Sequence, residues 1–158
     1  MSRPKHVLFV CTGNTCRSPM AEAILRHAVE GRDDFQTSSA GLSASRKGSC
    51  NVETAALLKR RGVRLEGFGS RPISDSILAA ATHVFAMTRD HLEILEERFP
   101  EHSDKYFLVC EFVEIPGKGI GADIPDPIGM GREAYQEVAD MLDLAMPTII
   151  DYIDRTWR

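Results

Sequence analysis

Apolar residues fall in short unbroken runs early in the chain and at helical spacing toward its end. Val7-Leu-Phe-Val10 is continuous, β-branched and aromatic, the pattern of a strand buried on both faces. Ser18 then predicts an N-cap with Pro19 at the first helical position, and Met20, Ala21, Ile24, Leu25 and Ala28 share one face of the helix that follows. Phe35 to Ser39 reads as a weaker strand ended by Ala40-Gly41. Val52 to Arg61 reads as a second helix, with a cationic last turn, Lys59-Arg60-Arg61, and Gly62 as the C′ residue. His83 to Met87 is a third strand, Thr88 caps a helix carrying Leu92, Leu95 and Phe99, and Lys105 to Val109 is a fourth strand. Ile115 to Gly131, rich in Gly and Pro, reads as a loop. In the last helix Tyr135, Val138, Leu142, Ala145, Ile149 and Ile153 recur at three- and four-residue steps, and Pro147 predicts a kink or a restart.

Strands alternating with helices imply an α/β fold: a parallel sheet with helices on both faces, three layers in all. No repeat, low-complexity tract or linker divides the chain, so residues 1–158 read as one domain, long enough to bury a core.

Composition narrows the function. The hydrophobic fraction of 43% and charged fraction of 27% are those of a soluble globular protein. A net charge of −4 argues against a nucleic-acid or anionic-membrane partner. The four apolar residues near the N-terminus are too few for a signal core or a membrane span, so a cytoplasmic location is the default. Cys11, Cys16, Cys50 and Cys110 form neither a secreted disulfide framework nor a C-x2-C zinc knuckle, and no metal or other cofactor is expected. Cys50 and Cys110 read as small structural residues.

Cys11 and Cys16 belong to the strand-to-helix turn Cys11-Thr12-Gly13-Asn14-Thr15-Cys16-Arg17-Ser18. In a doubly wound sheet the ligand site lies at the carboxyl ends of strands, where the next helix begins. Unpaired N–H groups and the helix dipole suit an anion such as phosphate there. Gly13 lets the backbone approach that ligand, Asn14 tolerates a left-handed conformation, and Arg17 offers a planar fork of donors matched to two phosphoryl oxygens. A cysteine at the base of this cradle has its thiolate form stabilised by the same groups, and Ser18 can donate a hydrogen bond to its sulfur. Neither G-x-x-x-x-G-K-[ST] nor G-x-G-x-x-G is present, so the turn is not a nucleotide-binding loop.

The C-x5-R-S pattern after a strand, followed by Pro19-Met20-Ala21-Glu22, resembles the low-molecular-weight protein-tyrosine phosphatases. Ser39-Ala40-Gly41 is similar to that family's loop after its second strand, and Asp126-Pro127 to its late acid-bearing loop. The resemblance implies a four-stranded parallel sheet, phosphorylated proteins as substrates, and a cysteinyl-phosphate mechanism. Cys11 is then the nucleophile, Arg17 the clamp on the phosphoryl oxygens and Asp126 the general acid. Thr12, Gly13, Asn14, Thr15, Cys16, Arg17 and Ser18 bind the phosphate. Asp123 reads as a loop carboxylate without a chemical role. The family also offers a redox role for Cys16, a reversible disulfide with the nucleophile, beside the alternative of a packing residue under the loop.

Thr15 stands where many members carry an aliphatic residue, and Ile128-Gly129-Met130-Gly131 follows the Asp-Pro where a pair of tyrosines is common. Both features are similar to the bacterial phosphoarginine-phosphatase branch and favour phosphoarginine over phosphotyrosine. A tyrosine-directed phosphatase is the alternative. An arsenate reductase lacks its late pair of resolving cysteines here, and a non-catalytic phosphoprotein-binding module would normally have lost the nucleophile or the acid.

Overall fold

In the computed structural model, which describes residues 3–158, the N-terminal apolar run extends into β1 (Lys5–Cys11). Its residues alternate between two cores. Val7, Phe9 and Cys11 pack with Met20, Leu25, Leu57, Leu142 and Ile149, whereas Leu8 and Val10 pack with Leu78, Val84 and Leu95. A strand apolar on both sides can only be an inner strand of a covered sheet. β1 indeed pairs in parallel with β2 (Phe35–Gly41) on one side and β3 (His83–Ala86) on the other. β4 (Tyr106–Leu108) completes the all-parallel order β2-β1-β3-β4.

The first face is covered by α1 (Arg17–Ala28), α2 (Val52–Arg60) and α5 (Arg132–Thr156), and the second by α3 (Asp75–Ala80) and α4 (Arg89–Arg98). These are the expected three layers. Because β1 has the sequence-adjacent β2 on one flank and β3 on the other, the carboxyl end of β1 is the topological switch point. Cys11 is the residue there. No helix among the described residues is long and apolar enough to cross a membrane.

Several local expectations are corrected. Ser18 is not the N-cap of α1: the helix starts two residues earlier than expected, at Arg17 with Cys16 as cap, and the Ser18 hydroxyl is engaged by Cys11 and Asn14 instead. Ala40 and Gly41 do not end β2 but continue it, since Gly41 is still in register with Cys11. β4 is shorter than the run from Lys105 to Val109, because Pro100–Lys105 forms a 3-10 turn that delivers the chain to the sheet. Part of the Gly/Pro-rich loop folds into a small antiparallel hairpin, β5 (Glu114–Ile115) with β6 (Gly119–Ile120). α3 has no counterpart in the sequence reading; its six residues bury one apolar side chain, Leu78, too few to show a helical period. Pro147 neither ends nor restarts α5, which runs unbroken for 25 residues. Pro147 and Asp143, whose carbonyl the proline leaves without its helical partner, lie on the exposed side, open to solvent.

Other expectations hold. Thr88 caps α4 through its hydroxyl, which accepts from the His91 N–H. Gly62, at φ +69°, follows the last turn of α2 as a left-handed terminator.

Candidate active site

Residues 11–18 form a closed turn whose every side is pinned. The Cys11 and Thr12 carbonyls accept from the N–H groups of Leu42 and Ser43, each at 2.9 Å, and the Thr15 carbonyl accepts from Asn51 N at 2.7 Å. Gly41 makes this approach possible: a Cβ there would sit 2.7 Å from the Thr12 oxygen and 3.0 Å from the Asn14 Cβ. Gly13 is different, since a Cβ would meet only Thr15 Oγ1, at 3.6 Å. Protein packing therefore leaves open the space beside Gly13.

Asn14 is the keystone of the turn. It takes φ +55°, a left-handed conformation that asparagine tolerates better than other non-glycine residues, and it is fully buried. Its Nδ2 donates to Ser18 Oγ and to Ser39 Oγ, both at 2.9 Å, while its Oδ1 accepts from Arg71 N at 3.0 Å. Ser39 in turn donates to Glu22 Oε1 at 2.6 Å. Every polar atom of this buried side chain is thus satisfied, which rigidifies the turn.

Cys11 Sγ lies 2.9 Å from Ser18 Oγ and accepts from Asn14 N at 3.3 Å. Since Ser18 Oγ already accepts from Asn14, its own hydrogen is free to donate to the sulfur. The cap of α1 is not closed by any side chain. The N–H groups of Arg17 and Ser18 have no acceptor within the helix, and Pro19 has no N–H to satisfy. The result is a nearly buried sulfur beneath a ring of donors, an arrangement that suits a bound oxyanion.

Arg17 is buried, with Nη1 donating to the Ile124 carbonyl at 3.0 Å and Nη2 lying 3.9 Å from Asp126 Oδ2. The guanidinium thereby ties the phosphate turn to the Asp126 loop. Asp126 itself is half exposed, and its Oδ1 accepts from Ile128 N at 3.1 Å, a local turn that holds the carboxylate against its own loop. Asp123, by contrast, points to α4, where Oδ1 accepts from Arg89 N at 2.8 Å. The structure thus brings Cys11, Arg17 and Asp126 to one end of β1 and gives Asp123 a structural partner.

Cys16 is buried beneath the turn, 3.7 Å from the Tyr135 hydroxyl, and burial pushes its thiol above the ordinary range. Burial likewise pushes Tyr135 up to about 12. All four cysteines are free thiols; Cys110 is buried as expected, whereas Cys50 is only partly so. Thr15 is half-buried, and among the described residues its hydroxyl reaches no acceptor closer than Cys16 Sγ at 4.0 Å.

Some members of the site carried no sequence signal. Arg71 and His91 meet the turn from the segment before α3 and from α4. His91 Nε2 lies 2.9 Å from Thr12 Oγ1, and burial, aided by Arg17, pushes the imidazole down to about 4. No spacing within a single segment could have singled these residues out.

Residues 6–157 match the family described as low molecular weight phosphotyrosine protein phosphatase. A protein-arginine-phosphatase of Geobacillus stearothermophilus is 38% identical over 148 residues, 94% of this chain and 93% of the relative. The low molecular weight protein-tyrosine phosphatase A of Mycobacterium bovis is 34% identical over 160 residues, 98% of this chain and 94% of the relative. Among solved structures, a YwlE arginine phosphatase with serine in place of cysteine and that active-site serine phosphorylated superimposes with a TM-score of 0.85. It is 30% identical, with 96% of this chain and 97% of that one covered.

Proposed function

The chain belongs to the low molecular weight phosphotyrosine protein phosphatase family, and from that premise we propose that it hydrolyses phosphoarginine side chains of proteins through a cysteinyl-phosphate intermediate. The observation that carries the mechanism is the sulfur of Cys11, buried at the switch point and hydrogen-bonded by Ser18 and by Asn14 N. It attacks phosphorus in line, and the phosphorus–nitrogen bond to the arginine breaks as the sulfur–phosphorus bond forms. Arg17 and the N–H groups of the turn stabilise the equatorial oxygens. Asp126 protonates the departing nitrogen and then takes a proton from the water that releases inorganic phosphate. The positive charge of the cradle comes from Arg17 and the helix start.

Three observations support arginine over tyrosine. The Thr15 hydroxyl is nearly unspent and available to a polar guanidinium. Past Asp126 the loop presents Ile128 and Met130, exposed side chains on which a phenyl ring has no aromatic face to stack. The relative at 38% identity is named a protein-arginine-phosphatase. A tyrosine-directed enzyme is the second reading, favoured by the 34% identity to the mycobacterial tyrosine phosphatase.

The test is kcat/KM for phosphoarginine and phosphotyrosine peptides on the wild type and on Thr15→Ile. Thr15→Ile should lower the first and raise the second, since a lost polar partner discriminates more strongly than the about 10–200-fold that one methylene gives. A wild type that prefers phosphotyrosine, with a ratio unmoved by Thr15→Ile, refutes the arginine reading. Cys11→Ser should abolish turnover of both substrates.

A further inference from the structure

We propose that His91 is a positioning residue that fixes the Thr12 hydroxyl at the mouth of the cradle, its hydrogen directed to the bound phosphoryl group. The proposal rests on residues 11–18 being a phosphate cradle. His91 occupies the first turn of α4, is only 5% exposed, and is hydrogen-bonded to the turn through Nε2 to Thr12 Oγ1 at 2.9 Å. Its other ring nitrogen, Nδ1, is buried without any partner among the described residues. A side chain there only for packing would be apolar, because an unpaired buried polar atom is a cost that leucine does not carry.

The unpaired nitrogen also fixes the proton. Burial and the nearby Arg17 keep the ring neutral at neutral pH, opposed by Asp90 on the same helix and by Asp123 and Asp126 from the acid loop. A neutral imidazole carries one N–H. On Nδ1 that N–H would be a buried orphan donor, the least tolerated kind. On Nε2 it donates to Thr12 Oγ1. The Thr12 oxygen then serves as acceptor for histidine, and its own hydrogen has no partner among the described residues. Thr12 is exposed and directly follows Cys11 in the turn, so its hydroxyl is open to a ligand that enters the cradle. The ring thereby turns a freely rotating hydroxyl into an oriented donor.

The experiment measures inorganic phosphate binding by calorimetry to wild type, Thr12→Val, His91→Leu, the double variant and His91→Gln. Thr12→Val and His91→Leu should each weaken binding by about 10–100-fold, the range for a hydrogen bond to a charged group. The double variant should be no weaker than either single one, because His91 acts through Thr12. His91→Gln, whose amide nitrogen can donate from nearly the same place, should bind within roughly threefold of wild type. Wild-type affinity in Thr12→Val, or multiplicative losses in the double variant, overturns the proposal. Should His91→Leu fail to fold, His91→Gln and Thr12→Val decide it, and a Thr12→Val protein that binds phosphate like wild type again overturns it. Phosphate binding needs no nucleophile. A Cys11→Ser protein that still turned over substrate would therefore refute the covalent mechanism and leave this result standing by itself.

Discussion

Gly41→Ala places a methyl group into the tightest point of the site. The added Cβ would lie 2.7 Å from the Thr12 carbonyl oxygen, 2.8 Å from the Ala44 Cβ and 3.0 Å from the Asn14 Cβ. Ordinary contact begins near 3.4 Å, so the Thr12 carbonyl must retreat by about 0.7 Å, and none of the three atoms is the end of a flexible side chain. Overpacking of this kind costs about 1–3 kcal/mol. The alanine also narrows the unfolded ensemble, which returns about 0.4–1 kcal/mol. A net loss of about 1–2 kcal/mol should lower Tm by about 2–8 °C in a chain of this size. The same push lands on the residue after Cys11, whose carbonyl is held by Ser43 N at 2.9 Å. Since a 1 Å misplacement can cost about 100-fold, kcat/KM should fall by about tenfold or more. Gly13→Ala is the control: its Cβ meets only Thr15 Oγ1 at 3.6 Å, so only the unfolded-state gain remains and Tm should rise by about 1–4 °C. Calorimetric melting and a p-nitrophenyl phosphate assay on both variants suffice. A Gly41→Ala protein with wild-type Tm and wild-type turnover would refute the packing argument.

Two further outcomes follow from the acid loop and the buried histidines. Asp126→Asn should slow poor leaving groups far more than good ones, whereas Asp123→Asn, which still offers an oxygen to Arg89 N, should leave both rates near wild type; the opposite pattern would make Asp123 the acid. Burial pushes His83 and His91 from 6.5 to about 4, so the unfolded chain takes up protons first: stability is complete above pH 6.5 and falls as pH drops toward 4, by up to about 3 kcal/mol for each histidine. Urea midpoints at pH 7 and pH 5 measure it, and equal midpoints would sink the claim.

The sequence by itself determined the layers and the chemistry concentrated in one turn. Val7 to Val10 had to be an inner strand, because a run apolar on both sides needs cover on both, and α5 was legible from six apolar residues at helical spacing. Cys11, Gly13, Asn14, Arg17 and Ser18 could be read together as a candidate anion cradle because all lie within eight residues, so local geometry alone constrains them. Pro147 does not restart the helix, because it and the Asp143 carbonyl it frees both face solvent. Ser18 misled for a different reason: a good capping residue is drawn elsewhere when a buried sulfur and an asparagine compete for its hydroxyl. The rest was decided by tertiary structure. Arg71 and His91 reach the turn from two distant segments, and the physical need for Gly41 arises only because β2 brings it against Thr12. Contacts between distant segments leave no periodicity to read, and sheet order alone selects which of many polar side chains meet at the end of β1.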